Sequence, residues 1–153
     1  MTLSELLKGE LILPGFDCAS KEELINKLVE LVFAENQKLP INKHELLKTI
    51  HKREQIGGTL LPSGLSVPHA RLQNYEGFIL AIGVPKEPLK YEGQPLRLIA
   101  MMITSISGNP YYLPVLAALT KMSRDSEYFS RLIGAKNSED FLNILRERDA
   151  ELD

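Results

Sequence analysis

A chain of 153 residues, 44% hydrophobic and 25% charged, is long enough for one hydrophobic core and short for two, so it reads as a single domain over 1–153. Its formal net charge of -2, with acidic and basic side chains mixed along the chain, lacks the basic excess that neutralises a phosphate backbone and argues against nucleic acid as a partner. No stretch approaches the ~18 to 20 consecutive apolar residues that span a bilayer, so membrane contact is expected only through a partner.

Met1 to Leu13 mixes apolar residues with Glu5, Lys8 and Glu10, which is not the pattern of an export signal. Glu10 to Leu13 suits a short strand. Cys18 is the one cysteine, which excludes an intramolecular disulfide or a thiolate metal site and fits a reducing, cytoplasmic compartment. Ser20 with Glu23 is a capping-box signature, and Leu24, Leu28, Leu31 and Val32 recur at helical spacing up to Glu35. Asn36 to Pro40 reads as a loop. Asn42 with Glu45 repeats the cap signal before a second helix that turns Leu46, Leu47 and Ile50 inward and Lys43, Lys48, Lys52 and Arg53 outward.

From Gln55 to Val67 the helical period vanishes, and Gly57, Gly58, Pro62, Ser63 and Gly64 mark a long surface loop. Ser66 to Ala70 re-enters the sheet. Phe78 to Val84 and Leu96 to Thr104 are apolar runs of strand length, separated by prolines and Gly93, and are expected to be neighbouring strands. Pro110 to Met122 predicts a helix with Leu113, Leu116 and Leu119 on its inner stripe, followed by short helices around Phe129 to Ile133 and Ser138 to Arg146. Helices lead, strands cluster in the middle and helices close. The expected fold class is α/β, a mixed β-sheet sandwiched by helices.

Among three histidines, His69 stands apart because Val67-Pro68-His69-Ala70-Arg71 follows the glycine-rich loop directly. Pro68 has a fixed φ and pushes Val67 toward extended geometry, so a stiff backbone presents the imidazole at a loop-to-strand junction. With an ordinary pKa of about 6.5, most of such a ring is neutral and nucleophilic at pH 7. By residue pattern alone His69 is either a satisfied histidine at a strand end or a positioned nucleophile. His44 and His51 are seven apart, too far to chelate a metal as an i, i+4 pair does, and read as solvated; no metal site is expected. Cys18 reads as a small core residue.

Arg53 and Glu54, before the loop, form either a solvated helix terminus or a guanidinium aimed across the loop at an anion on His69. The loop adds backbone amides up to Gly64 and the hydroxyls of Thr59 and Ser63 as further anion donors, a nest rather than a P-loop, because no Gly-Lys-Ser/Thr follows.

Arg53-Glu54, Gly57-Gly58-Thr59 through Gly64, Pro68-His69-Ala70, Tyr112-Leu113 with Leu116, and Ser138 to Leu142 together resemble the fructose/mannitol class of enzyme IIA domains of the sugar phosphotransferase system, which includes nitrogen-regulatory relatives. The resemblance covers nearly the whole chain. It implies a mixed sheet between helices, and a His69 that takes a phosphoryl group from the histidine-containing phosphocarrier protein and passes it to a cysteine of enzyme IIB. It further implies that Arg53 holds the phosphate, with no metal, nucleotide or other cofactor. The alternative is a regulatory protein whose phosphorylation state controls binding to a target. This chain departs from the family pattern at Leu60 and Pro62, where extra glycines are usual, and at Tyr112, where a second histidine is common; the Tyr112 phenol becomes a possible auxiliary donor.

Overall fold

The structure, a computed structural model, describes residues 1–35 and 38–153; Asn36 and Gln37 of the predicted loop lie outside them. The two long apolar runs form its central strands, β4 (Ile79–Pro85) and β7 (Leu98–Ser105), antiparallel and wholly buried, with Ile79 opposite Ile103 and Gly83 opposite Ile99. Successive side chains point to opposite faces, so Leu80, Ile82, Leu98, Ala100 and Met102 enter one core and Ile79, Ala81, Ile99, Met101 and Ile103 the other. A strand covered on both faces has no polar side, which is why these runs show no alternation.

β1 (Ile12–Phe16) pairs parallel to β4, while β2 (Leu65–Ser66) and β3 (His69–Leu72) run parallel to β7 along its other edge, giving the order β1-β4-β7-β2 with β3 continuing beside β7. The expected return to the sheet at Ser66 to Ala70 is thus two short strands broken at Val67-Pro68. Pro68 lacks an N–H and suits an interrupted edge. β5 (Leu89–Tyr91) and β6 (Gln94–Leu96) form a separate hairpin whose two turn residues, Glu92 and Gly93, both have positive φ (51° and 80°), the geometry that matches strand twist. Glu92 is a weak signal for such a turn, and this hairpin was not legible in the sequence.

α2 (Lys21–Glu35) and α3 (Lys43–Ile56) cover one face; α1 (Leu3–Leu6), α4 (Tyr112–Arg124), α5 (Ser126–Ile133) and α6 (Ser138–Arg146) cover the other. The result is the expected mixed sheet sandwiched by helices. The Asn42 carboxamide accepts from Glu45 N at 2.8 Å and the Ser20 hydroxyl from Glu23 N at 3.2 Å, so both predicted caps form. α2 lies close on the sheet at Gly83, where a Cβ would meet Leu24 Cδ1 at 3.0 Å.

One inward assignment is overturned. Leu113 is 69% exposed, and the buried stripe of α4 is Val115, Leu119 and Met122, with Leu116 at its edge. At about 100° per residue, positions 113 and 119 point roughly 120° apart, whereas 115, 119 and 122 fall within about 60° of each other and make one face.

Candidate functional site

Along β3, Ala70 and Leu72 turn into the core under α2 and α3, so His69 and Arg71 share the opposite side of an edge strand. The junction before His69 is pinned from both directions: Val67 N donates to Thr59 Oγ1 at 3.0 Å, and the Pro68 carbonyl accepts from Met102 N at 2.9 Å. The C-terminal turns of α3 stand beside the same edge. Thr49, Arg53, His69, Ala70 and Arg71 line a cleft of about 270 Å³ there.

α4 approaches His69 and Arg71 through Tyr112. Asn109 donates to the carbonyls of Glu76 and Gly77 and accepts from Tyr111 N at 2.9 Å, fixing the start of the helix against the loop before β4. The Tyr112 ring then stands edge-on to His69 with centroids 5.9 Å apart, and Arg71 Cζ lies 5.6 Å from the centre of the Tyr112 ring. His69, Arg53, Arg71 and Tyr112 are thereby gathered at one place.

His69 is half-buried, and its Nδ1 lies 3.5 Å from the Val67 carbonyl. A neutral ring with its hydrogen on Nδ1 donates to that oxygen and leaves the Nε2 lone pair free. Burial lowers the His69 pKa below the ordinary histidine value, against the Val67 carbonyl, which raises it; the Arg53 and Arg71 charges lower it further, and Glu54 opposes them. The neutral, nucleophilic form is therefore favoured. Two guanidiniums beside a neutral imidazole make a place where a dianion meets opposite charge and the ring nitrogen can bond to it.

The loop groups are engaged differently from the sequence reading. Thr59 Oγ1 accepts from Val67 N and lies 3.3 Å from Ser66 Oγ; Ser63 donates to Ser123 on α4 at 2.8 Å. Leu61 to Gly64 is a β-turn closed by Gly64 N to the Leu61 carbonyl at 2.9 Å, with Pro62 in the second position that prolines favour. Gly64 has φ 95° and its carbonyl accepts from Arg97 N and Leu98 N, so it serves the turn. None of Thr59, Ser63 and Gly64 lines the cleft.

The solvated alternative for Arg53-Glu54 fails for the second residue: Arg53 is exposed at the cleft, but Glu54 is buried and paired with Lys21. Consecutive helical positions differ by about 100° and meet different surroundings. Nor is His51 simply solvated, because its Nε2 lies 2.8 Å from Asn26 Oδ1, while His44 is exposed. Cys18 is half-buried against the α2 and α3 core, and burial pushes its thiol up, followed by the nearby charges of Glu23 and Asp17. Arg71 is the site residue that sequence reasoning missed. The available signal was its position two residues beyond His69 on a strand, which places both on one face.

The fold and the cleft together define an α/β protein in which a histidine and an arginine on the edge strand of a helix-covered mixed sheet meet a second arginine from the neighbouring helix α3. The family profile described as "Phosphoenolpyruvate-dependent sugar phosphotransferase system, EIIA 2" matches residues 5–148, and the chain belongs to that family. It is 22% identical over 148 residues to a nitrogen regulatory protein of Bradyrhizobium diazoefficiens, covering 95% of each chain. It is 25% identical over 153 residues to the PTS system fructose-specific EIIABC component of Bacillus subtilis, with 97% of this chain aligned to 24% of that protein. In structure it is similar to the nitrogen regulatory protein IIA-Ntr of Neisseria meningitidis, with TM-score 0.75, 21% identity and coverage of 94% of this chain and 98% of that one. It is also similar to the mannitol IIA of Escherichia coli in complex with phosphorylated IIB, with TM-score 0.73, 21% identity and coverage of 93% and 98%. No helix among the described residues is long and apolar enough to cross a membrane.

Proposed function

We propose that His69 carries a phosphoryl group in transit between two protein partners, receiving it from the histidine-containing phosphocarrier protein and giving it to a cysteine of enzyme IIB, in the cytoplasm. The observation that carries this reading is the cleft itself: in a IIA-family chain, a half-buried neutral imidazole with a free Nε2 faces Arg53 and Arg71. In the first step the Nε2 lone pair attacks phosphorus, the P–N bond to the donor histidine breaks, and its electron pair returns to the donor ring. The hydrogen on Nδ1 stays in place toward the Val67 carbonyl, so the phosphorylated ring becomes cationic without any proton moving. In the second step a cysteine thiolate attacks phosphorus, the P–Nε2 bond breaks, and its pair returns to Nε2, so that a neutral imidazole leaves. Such in-line transfer asks mainly for positioning and charge neutralisation. Arg53 and Arg71 neutralise the phosphoryl oxygens, and the Tyr112 phenol offers one further donor. Thr59, Ser63 and Gly64 act one step removed, by holding the loop that fixes Val67 and Pro68.

The relatives named nitrogen regulatory protein favour a second reading, in which the same phosphohistidine changes the charge of a surface that binds a regulatory target and no sugar is moved. One experiment tests the common core of both. The chain is incubated with phosphoenolpyruvate and the general phosphotransferase proteins, and the acid-labile phosphate is mapped; it should sit on His69 and vanish in His69→Ala. Label on His44 or His51, or label surviving His69→Ala, refutes the assignment. Discharge by a IIB domain then separates transport from regulation.

A further inference from the structure

The transfer chemistry uses Arg53 and leaves its neighbour without a role. Glu54 is 7% exposed and forms an ion pair with Lys21, itself 5% exposed, and Lys21 Nζ sits 4.2 Å from the centre of the Tyr91 ring. A crevice of about 130 Å³ lined by Lys21, Ile25, His51, Glu54 and Tyr91 lies alongside.

Three features argue that this pair is not there for stability. Taking two charges out of water costs so much that a well-packed apolar pair of the same volume is often no worse. Both charges stand at the wrong helix ends: Lys21 is the first residue of α2, where the dipole disfavours a cation, and Glu54 lies in the last turn of α3, where it disfavours an anion. Apart from the ionic contact, neither Lys21 Nζ nor either Glu54 oxygen has a hydrogen-bond partner among the described residues. What the pair does possess is a location. It ties the start of α2 to the turn of α3 that brings Arg53 to the cleft.

We propose that Lys21 and Glu54 are positioning residues for phosphoryl transfer at His69: tethered to Lys21, Glu54 holds the last turn of α3 so that Arg53 faces the cleft, and Lys21 cancels a carboxylate that would otherwise repel the incoming phosphoryl group. This rests on the reading of His69 as the phosphoryl acceptor. The groups whose charge or dipole acts on His69 are Arg53 and Glu54 from α3, Arg71 and the Val67 carbonyl from its own strand and junction, and Tyr112 from α4. Of these, Glu54 alone is an anion, and its charge reaches the imidazole.

The test measures the His69 titration midpoint by NMR and the phosphorylation rate in wild type, Lys21→Met, Glu54→Gln, the double variant and Lys21→Arg. Uncovering Glu54 in Lys21→Met should raise the midpoint and slow phosphorylation about tenfold at pH 8, a loss of about 1.4 kcal/mol. Uncovering Lys21 in Glu54→Gln should lower the midpoint. The double variant, which lacks both charges, should lie between the two single variants in midpoint and phosphorylate faster than Lys21→Met, though still more slowly than wild type because the tether is gone. Lys21→Arg keeps the charge and should stay near wild type. A pair serving only stability would lower melting temperatures and move no midpoint, so equal midpoints in folded single variants, or shifts in the same direction, overturn the proposal. If Lys21→Met does not fold, the comparison of Glu54→Gln with the uncharged double variant still decides, equality being the refuting result. Lack of phosphate on wild-type His69 counts against the functional reading, whereas uncoupled midpoints count against the role of the pair.

Discussion

Replacing Tyr112 by Phe removes one oxygen atom and keeps a ring that touches both His69 and Arg71, so this variant separates the phenol's chemistry from its packing. If the hydroxyl donates to a phosphoryl oxygen in the transition state, its loss should cost about one neutral hydrogen bond, ~0.5 to 1.5 kcal/mol, or roughly two- to twelvefold in phosphorylation rate. Tyr112→Ala removes the ring as well. The edge-on contact with His69 is worth about 0.5 to 1.5 kcal/mol and an exposed cation–π contact with Arg71 about 0.5 to 1 kcal/mol. Their sum, about 1 to 2.5 kcal/mol, bounds the further loss from letting both side chains drift, about five- to seventyfold. Tyr112→His places beside His69 an imidazole that can donate the same hydrogen bond and also carry a charge, and should match or exceed wild type. The assay is single-turnover phosphorylation by the phosphocarrier at pH 7.5, with melting temperatures measured in parallel. Wild-type rates in both the Phe and Ala variants would show that Tyr112 takes no part, and would leave the arginines as the only phosphate ligands.

Arg53→Ala and Arg71→Ala should each slow phosphorylation by roughly 13- to 160-fold, the worth of a charge-assisted contact of ~1.5 to 3 kcal/mol, and Lys at either position should rescue only part of it because a point charge replaces a fork. Little change in melting temperature should accompany either, since both side chains are exposed; a wild-type rate in one variant removes that residue from the phosphate site. The lowered His69 pKa means that the unfolded chain binds the proton more tightly, so stability rises with pH between the folded value and about 6.5 and falls on acidification through that window. Comparing wild type with His69→Gln by denaturant titration from pH 5 to 7.5 isolates this contribution, and identical pH slopes would refute it. Phosphorylation should likewise persist further to the acid side than an ordinary histidine allows. Gly64→Ala should cost about 1 to 2 kcal/mol, because φ is 95° and the new Cβ would lie 2.7 Å from Arg97 Cγ; an unchanged melting temperature would show that the turn relaxes freely.

Local chemistry was enough for much of the fold. The caps at Ser20 and Asn42 involve side chains within three residues of the groups they satisfy, and the apolar runs that became β4 and β7 are buried wherever the chain goes. The motif around Pro68-His69 was legible for the same reason: the proline and the loop that stiffen the backbone are sequence neighbours of the imidazole. Leu113 was misplaced because a run of leucines at i, i+3, i+6 drifts around a helix, and only the packed core shows which side is covered.

What the sequence could determine by itself was therefore the set of elements, the stiff presentation of His69 and, through resemblance, the family; each depends on contacts a few residues long or on a pattern spread over the whole chain. Tertiary structure alone decided the company His69 keeps. Tyr112 is 43 positions away and arrives only because Asn109 anchors α4 to the loop before β4. Arg71 joins the cleft because β3 is an edge strand whose outer side remains open, and Ser63 misses it because its hydroxyl is bound to Ser123. Glu54 became a buried partner of Lys21 because the angle between adjacent helical positions, set against two packed helices, sends Arg53 to the cleft and Glu54 inward. Charge, burial and distance across elements are properties of the folded arrangement, and no spacing along the chain encodes them.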